Sequence, residues 1–279
     1  MILADILFKQ GFGTRYDCRS IATSGAVSID GRELTDPDED FDLEGLVLTW
    51  RGMQWPVSDN VLIAMNKPTG YECSLKPSAH PSVMNLLPGP LRTRGVQPVG
   101  RLDWDTTGLL LFTDNGSLLH RLTHPKKHVN KVYRATLSHP AANGTCEKLL
   151  SGVVLDDDPK PVFAKAAELM APDVLMLTIS QGKYHQVKRM VAACGNRVVA
   201  LHRIRVGAYA LEGGVGFAAL RAFSARGASE YRVDAPGICR LAGLFRIRRD
   251  SYGLLWIQLW APAPIGAWHT GILATGSWG

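Results

Sequence analysis

The chain has few cysteines, and none of them forms a pair at the spacing of a metal site. The five, in 279 residues, are widely separated and lie at Cys18, Cys73, Cys146, Cys194 and Cys239. An odd number without any C-x-x-C spacing argues against both a disulfide framework and a zinc site. We therefore expect a protein of the reducing cytosol.

Long uninterrupted apolar segments are also missing. The chain starts with MILAD, which reaches a charge too early for a secretory signal peptide. Residues 254–274 are the most apolar stretch, but prolines, a glycine and a histidine interrupt them, so they make a poor membrane span. We expect a soluble, cytoplasmic protein with no membrane attachment.

Lysine disappears from the end of the chain. After about residue 212 there is no lysine and few acids, although this part holds most of the tryptophans, at Trp256, Trp260, Trp268 and Trp278. Glycine and proline are scattered there without periodicity. We treat residues 213–279 as an atypical tail for which no fold is predicted.

Basic residues, by contrast, are in surplus. Lysine and arginine number 31 against 25 acids, giving a formal net charge of +6. Such a surplus favours a polyanionic partner, because each phosphate that is neutralised releases condensed counterions. Many basic proteins never bind nucleic acid, so the charge alone does not identify the partner.

Two regions precede the tail. Residues 1–56 predict a small unit of two helices, over 3–10 and 16–24, followed by a strand over 26–29 and an Asp-Gly pair that favours a tight hairpin turn. Residues 57–212 predict a larger domain in which strands and helices alternate irregularly. That irregularity favours the α+β class over a doubly wound α/β sheet. Strands are predicted over 61–65, 109–113, 131–137, 174–180 and 198–204, and helices over 141–150 and 185–194.

The clearest local pattern is GRLDWDTTGL, at residues 100–109. It places an arginine and two acids in a loop just before a hydrophobic strand. Loops held by a rigid sheet commonly carry catalytic groups. The alternative is an Asx turn, in which Asp103 or Asp105 bonds its own backbone, and the residues alone leave both interpretations open.

A second pattern, GKYHQVKRM at residues 182–190, places basic side chains at the start of a predicted helix. Lys188 and Arg189 differ by about 100° around a helix, so one can face inward while the other reaches a phosphate. A solvated basic face is the alternative.

A third pattern, HPKKH at residues 124–128, leads into a strand that carries Tyr133. Cations interleaved with aromatic faces are what an unstacked nucleotide needs. A surface turn beside a core tyrosine is the alternative.

Together these segments resemble the successive motifs of bacterial rRNA pseudouridine synthases. The matching segments, in order, are NKPTG at residues 66–70, GRLDWDTTGL at 100–109, Lys131 with Tyr133, and GKYHQVKRM at 182–190. The last favours the RsuA type, which modifies 16S rRNA. The resemblance covers about residues 60–210, and residues 1–50 resemble the small RNA-binding domain that precedes the catalytic domain in that family.

The resemblance implies a role for each matching residue. Asp103 matches the required aspartate, Tyr133 the tyrosine that stacks on the target base, and Lys188 the basic residue that pairs with the aspartate. Arg101 lies where the family uses an arginine to hold the RNA around the extruded nucleotide. Further RNA contacts are expected at Lys67, Lys131, Lys183, His185, Gln186, Arg189 and Arg203.

The family's fold and reaction are implied as well. The expected fold is α+β with a mixed, mainly antiparallel sheet flanked by helices. The expected reaction isomerises one uridine of 16S rRNA, within an assembling small subunit, after that uridine leaves its stack. Asp103 then attacks the sugar or removes a ribose proton, and Lys188 opposes the rise in the pKa of Asp103 that burial would cause. We expect no cofactor, no metal and a monomer.

Two departures and two alternatives complete the sequence analysis. The RNA-binding helix is less basic than is usual in the family, and the tail matches nothing in it. A synthase acting on 23S rRNA would share the same motifs. A non-catalytic rRNA-binding or ribosome-assembly protein would have eroded the site, whereas its expected residues are present: Arg101, Asp103, Tyr133 and Lys188.

Overall fold

The computed structural model describes residues 1–156, 158–210, 245–249 and 255–260, the last two as strands. The helices are α1 (Leu3–Lys9), α2 (Arg15–Thr23), α3 (Gly89–Thr93), α4 (Gly116–Thr123), α5 (Thr145–Ser151) and α6 (Gln186–Ala193). The strands are β1 (Val27–Ile29), β2 (Arg32–Leu34), β3 (Val47–Trp50), β4 (Met53–Pro56), β5 (Leu62–Lys67), β6 (Gln97–Pro98), β7 (Thr107–Thr113), β8 (Lys131–Leu137), β9 (Val153–Leu155), β10 (Asp158–Val162), β11 (Ala166–Ala171), β12 (Val174–Ile179), β13 (Val198–Val206), β14 (Tyr209–Ala210), β15 (Phe245–Arg249) and β16 (Leu255–Trp260). In this part of the chain, no helix has the length and apolar character needed to cross a membrane.

The N-terminal unit combines α1 and α2 with a sheet in the order β2-β1-β3-β4. Helix α2 begins with a capping box, in which the Thr14 hydroxyl accepts from the Asp17 amide and the Asp17 carboxylate accepts from the Thr14 amide. Asp30 and Gly31 have φ values of 50° and 83°, as a two-residue turn between antiparallel strands requires. The predicted pair of helices and the hairpin are therefore present.

A mixed sheet forms the larger part of the described chain, in the order β11-β12-β8-β13-β7-β5-β16-β15. Among the described strands the parallel pairs are β13 with β7 and β16 with β5, while the others are antiparallel. The α+β class with a mixed sheet is confirmed. Because β13 lies between β8 and β7, it brings the strand carrying Tyr133 close to the strand that follows Asp103.

Several elements differ from the sequence prediction. No helix is predicted between the strands at 109–113 and 131–137, yet α4 begins at Gly116, because the Asn115 side chain accepts a hydrogen bond from the Leu118 amide and caps the helix. Strand β11 has the sequence AAELMA, which favours helix, yet it pairs with β12 at the sheet edge. Tertiary pairing thus overrides local propensity there.

Residues 211–244, 250–254 and 261–279 lie outside the described residues, and they include most of the expected tail over 213–279. Its described part consists of β15 and β16. Strand β16 pairs in parallel with β5, so that Leu259 lies opposite Met65, and β15 pairs with β16 in antiparallel fashion. These two strands extend the sheet beyond the predicted limit of the catalytic domain at residue 212.

The N-terminal unit and the mixed sheet share one hydrophobic core. Leu3 and Leu7 of α1 are fully buried in the same apolar cluster as Ile63 of β5 and Phe112 of β7. The two units therefore pack against each other through this shared cluster.

A buried guanidinium joins the two units. Arg94, at the end of α3, pairs through Nε with the Asp114 carboxylate at the end of β7. Its Nη1 donates to Gln10 Oε1 at 2.7 Å, while Nη2 donates to the carbonyl oxygens of Ser58 at 2.7 Å and Asp59 at 2.6 Å. A single guanidinium thus connects α1, the segment between the two units and β7.

Replacing Arg94 by alanine should lower the free energy of unfolding by roughly 3–5 kcal/mol, because a buried Asp114 carboxylate then loses its partner. Arg92→Ala is the matched control, since Arg92 lies exposed on the same helix, and it should cost less than about 0.5 kcal/mol. Urea denaturation of both variants measures the difference. Equal effects would show that the ion pair does not hold the units together.

Candidate active site

The loop over residues 100–106 is held from below by a buried lysine. Lys67, the last residue of β5, is fully buried. Its Nζ donates to the carbonyl oxygens of Pro68 at 2.9 Å, Asp103 at 3.1 Å, Trp104 at 3.3 Å and Thr106 at 3.0 Å. Lys67 therefore fixes the path of the loop. Lys67, expected to contact RNA, thus has its ammonium among backbone carbonyls and not at the surface.

Burial lowers the pKa of Lys67 to about 8, while Cys73 and the carboxylates of Asp105 and Asp103 act in the opposite direction and Arg203 adds to the lowering. The amine is still mostly protonated at neutral pH. It can therefore donate to the loop carbonyls while adding positive charge beneath them.

A close backbone approach places the end of the loop against β13. Gly108 has a φ of 104°, and a Cβ atom there would come within 2.2 Å of the Arg203 carbonyl oxygen. Only glycine permits this contact between β7 and β13. The Arg203 side chain is itself buried, and its Nε donates to the Leu109 carbonyl at 2.7 Å. Arg203, expected to contact RNA, therefore supports the contact between β13 and β7.

Four ionisable side chains meet at the loop and the start of α6. Lys188 Nζ lies 2.7 and 2.8 Å from the two carboxylate oxygens of Asp105, and 3.4 Å from Asp103 Oδ2. His185 Nε2 lies 3.3 Å from Asp103 Oδ1. The expected contact between Lys188 and Asp103 is present, but the nearest partner of Lys188 is Asp105, a pairing that spacing along the sequence did not predict.

Electrostatics keep Asp105 ionised. Burial raises the pKa of its carboxyl group, but the hydrogen bonds and charge of Lys188, together with the charge of His185, outweigh burial and hold the pKa below its usual value. Lys188 thus lies between two carboxylates, and its shorter contacts are to Asp105.

The first turn of α6 is shaped by its own side chains. His185 adopts a left-handed conformation with φ of 46° at the helix N-cap. Gln186 is buried, and its Oε1 accepts from the Lys183 amide at 3.0 Å. This contact holds the turn, and the side chain of Gln186, expected to contact RNA, is buried there. Tyr184 is exposed and stacks on His185, with ring centroids 3.8 Å apart.

The remaining expected residues differ in accessibility. Arg101 is exposed in the loop, and Lys183 is half-buried and paired with Asp158. Arg189 is half-buried, and its Nη1 donates to the Tyr184 carbonyl at 3.2 Å.

The two expected residues on β8 are more enclosed. Lys131 Nζ donates to the Val129 carbonyl at 3.0 Å, and burial, with Arg203 nearby, lowers the pKa of Lys131. Tyr133 is only 7% exposed and lies across from Arg203 in the sheet. Contact between the Tyr133 ring and a base would require the ring to be uncovered.

One feature of the site was not predicted from the sequence. Trp104, between the two loop carboxylates, is half exposed and stacks on the His80 ring. A tryptophan in a polar loop was a visible signal, but nothing in the sequence indicated that residue 80 would be its neighbour.

The lowered pKa of Lys67 gives a pH prediction. Between about pH 8 and about pH 10 the unfolded chain keeps a proton that the folded chain has released. The contribution of Lys67 to the free energy of unfolding should therefore rise with pH across this interval. Lys67→Met should abolish this rise and cost about 1–3 kcal/mol at neutral pH, since loop carbonyls lose their donor.

The measurement is the difference in urea unfolding free energy between wild type and Lys67→Met, from pH 7 to pH 10. Titrations common to both proteins cancel in that difference. A difference that stays constant with pH would show that the Lys67 amine titrates as it does in the unfolded chain.

The family that matches this chain and two of its relatives are named as pseudouridylate or pseudouridine synthases. Residues 61–193 match the family described as RNA pseudouridylate synthase. Ribosomal small subunit pseudouridine synthase A of Salmonella typhimurium is 46% identical over 148 residues, which cover 53% of this chain and 64% of that protein. The chain thus spans less than two thirds of that relative's length.

Longer matches come from two other proteins. Ribosomal small subunit pseudouridine synthase A of Yersinia pestis is 38% identical over 194 residues, covering 70% of this chain and 80% of that protein. A crystal structure of a pseudouridylate synthase is 32% identical and superposes with a TM-score of 0.52, covering 76% of this chain and 91% of that one.

Proposed function

The chain belongs to the RNA pseudouridylate synthase family, and on that premise we propose that it isomerises a specific uridine of 16S rRNA to pseudouridine. The observation that carries the proposal is the position of Asp103, in a loop fixed by Lys67 and within reach of Lys188 and His185. The small-subunit assignment is supported by the names of the relatives from Salmonella typhimurium and Yersinia pestis.

The proposed reaction needs the uridine outside its stack, which costs a few kcal/mol. The bond between the base nitrogen and the ribose breaks, the uracil rotates, and a ring carbon joins the ribose in its place. The freed nitrogen gains a proton and the ring carbon loses one, so the product is an isomer of the substrate. Asp103 acts either as the nucleophile on the sugar or as the base that removes a ribose proton.

Lys188 and Asp105 have electrostatic roles in this proposal. Lys188 supplies a positive charge 3.4 Å from Asp103, which favours the ionised carboxylate in a partly enclosed site. Asp105 holds Lys188 through its two shorter contacts. Tyr133 is proposed to stack on the target base once the bound RNA has uncovered its ring.

RNA contact is proposed along the surface around this loop. Arg101, Lys131, Lys183, His185 and Arg189 are the cationic or potentially cationic candidates, supplemented by the exposed lysines of the 124–128 loop. These side chains contact phosphate, while aromatic faces contact bases.

We assign residues 1–56 to a docking domain and 57–212 to the catalytic domain. The positive charge of α2 is largely offset, since Arg15 pairs with Asp5 at 2.6 Å and Arg19 with Asp38 at 2.8 Å. Docking by this unit therefore depends on its shape more than on the charge of α2. The proposed setting is the cytoplasm, with one copy of the chain acting on an assembling small subunit.

The central prediction concerns the two carboxylates of the loop. In cells lacking the gene, one pseudouridine should disappear from 16S rRNA, and wild type should restore it. Asp103→Asn should fail to restore it, whereas Asp105→Asn should restore it partially, because Lys188 keeps its contact with Asp103. Chemical mapping of pseudouridine in 16S and 23S rRNA measures this outcome.

Other outcomes separate the alternatives. Loss of a 23S site instead would keep the enzyme class and change the substrate. Loss of activity in Asp105→Asn with retained activity in Asp103→Asn would exchange the roles of the two residues. No missing site in cells that express the protein would favour a non-catalytic rRNA-binding or ribosome-assembly protein.

A second prediction concerns the basic loop. Replacing Lys126 and Lys127 with glutamine should weaken binding to a 16S rRNA transcript and lower the slope of log affinity against log salt by about one for each lysine. Lys148→Gln with Lys165→Gln removes the same charge from exposed positions elsewhere and serves as the control. Equal slopes for the two double variants would exclude the 124–128 loop from the interface.

A further inference from the structure

The ring of Trp104 is unusually placed for a tryptophan in a folded protein. Trp104 lies between Asp103 and Asp105 in the loop over residues 100–106, which we call the catalytic loop. Half of the residue, 50%, is exposed. His80 stacks on it, with ring centroids 4.4 Å apart and an angle of 20° between the planes. The pair thus presents an aromatic surface at the residue that follows the proposed catalytic aspartate in the chain.

The backbone of Trp104 is fixed. Its carbonyl oxygen accepts from the Gly70 amide at 2.8 Å and from Lys67 Nζ at 3.3 Å. The exposed ring is therefore attached to an anchored segment, and a ligand that stacks on it does not have to order the loop first.

His80 is held in a separate segment, the His80 loop (residues 72–82). The ends of this loop are joined where the Glu72 amide donates to the Pro81 carbonyl at 3.1 Å. The loop is tied to the catalytic loop where the Leu102 amide donates to Cys73 Sγ at 3.4 Å. The two stacked rings thus come from two loops that are also joined by a hydrogen bond.

We propose that Trp104 and His80 form a stacking platform for a nucleotide adjacent to the target uridine in the RNA strand. This inference rests on the proposed function and identifies an additional RNA subsite of the same active site. A uridine that leaves its stack exposes a face of its neighbouring base, and an aromatic plane beside Asp103 replaces the lost stacking partner.

The surrounding charge fits an RNA strand. Arg101 is exposed in the catalytic loop and Lys76 is exposed in the His80 loop, so each ring has a cation on its own segment to meet phosphate. Stacking on an aromatic face is tolerant of base identity, because every base has such a face. The platform therefore contributes affinity and position more than sequence choice.

The test compares Trp104→Leu with Trp104→Phe, because leucine keeps apolar bulk without an aromatic plane and phenylalanine keeps the plane. The probe is a 16S rRNA transcript. Equilibrium binding and steady-state isomerisation give Kd, KM and kcat. For Trp104→Leu we expect Kd and KM to rise about tenfold, as loss of a base–aromatic stack does. Trp104→Phe should recover most of that loss, and kcat at saturating RNA should change little in either variant.

Phe163→Leu is the matched control. Phe163 is 51% exposed and packs beside Gly152, outside the proposed site, so the same kind of change there should leave Kd, KM and kcat unaltered. Circular dichroism and thermal unfolding of each variant show whether the fold is retained.

Two results would overturn the platform. The first is a Trp104→Leu variant whose Kd equals that of wild type. A Trp104→Leu variant whose Kd equals that of Trp104→Phe would have the same meaning. The second is a loss confined to kcat, which would make Trp104 a positioning residue for Asp103. If wild type binds the transcript without isomerising it, the proposed function fails, and the Kd comparison still decides whether Trp104 and His80 hold RNA.

Discussion

The buried ammonium of Lys67 is the interaction on which the site depends. A buried charge is costly unless it is hydrogen-bonded, and loop carbonyls that leave a sheet need donors of their own. Lys67 and the carbonyls of Asp103, Trp104 and Thr106 satisfy each other. The sharp path of the loop follows from this arrangement, and with it the exposure of Arg101, Trp104 and Asp105.

Above that anchor, charge is shared among neighbours instead of being paired one to one. Lys188 contacts both carboxylates of the loop, with the shorter distances to Asp105, and His185 approaches Asp103 from the start of α6. Cationic groups thus lie between and beside the two acids, and the charge of Lys188 holds the pKa of Asp105 below its usual value. The proposed chemistry uses one of these acids, while the other holds the lysine in position.

One guanidinium and a shared apolar core join the N-terminal unit to the sheet. Arg94 links Gln10, Asp114 and the segment between the units, and apolar residues of α1 share the core of β5 and β7. Any RNA surface on the N-terminal unit therefore keeps a defined position relative to Asp103. In the proposed function, docking and chemistry are performed by one packed body, to which the stacked rings of Trp104 and His80 add a local contact.

The sequence by itself determined the elements with clear periodicity, the hairpin turn and the identity of the catalytic loop. The strand predicted over 131–137 is β8, with the same bounds, and the family resemblance singles out Asp103. Tertiary structure alone decided that Lys67, Gln186 and Arg203 face the interior and that Lys188 lies closest to Asp105. The physical reason is that spacing along a chain shows which residue types are present. Whether a polar side chain meets water, a carbonyl oxygen or a distant carboxylate is settled only when strands from separate parts of the chain pack together.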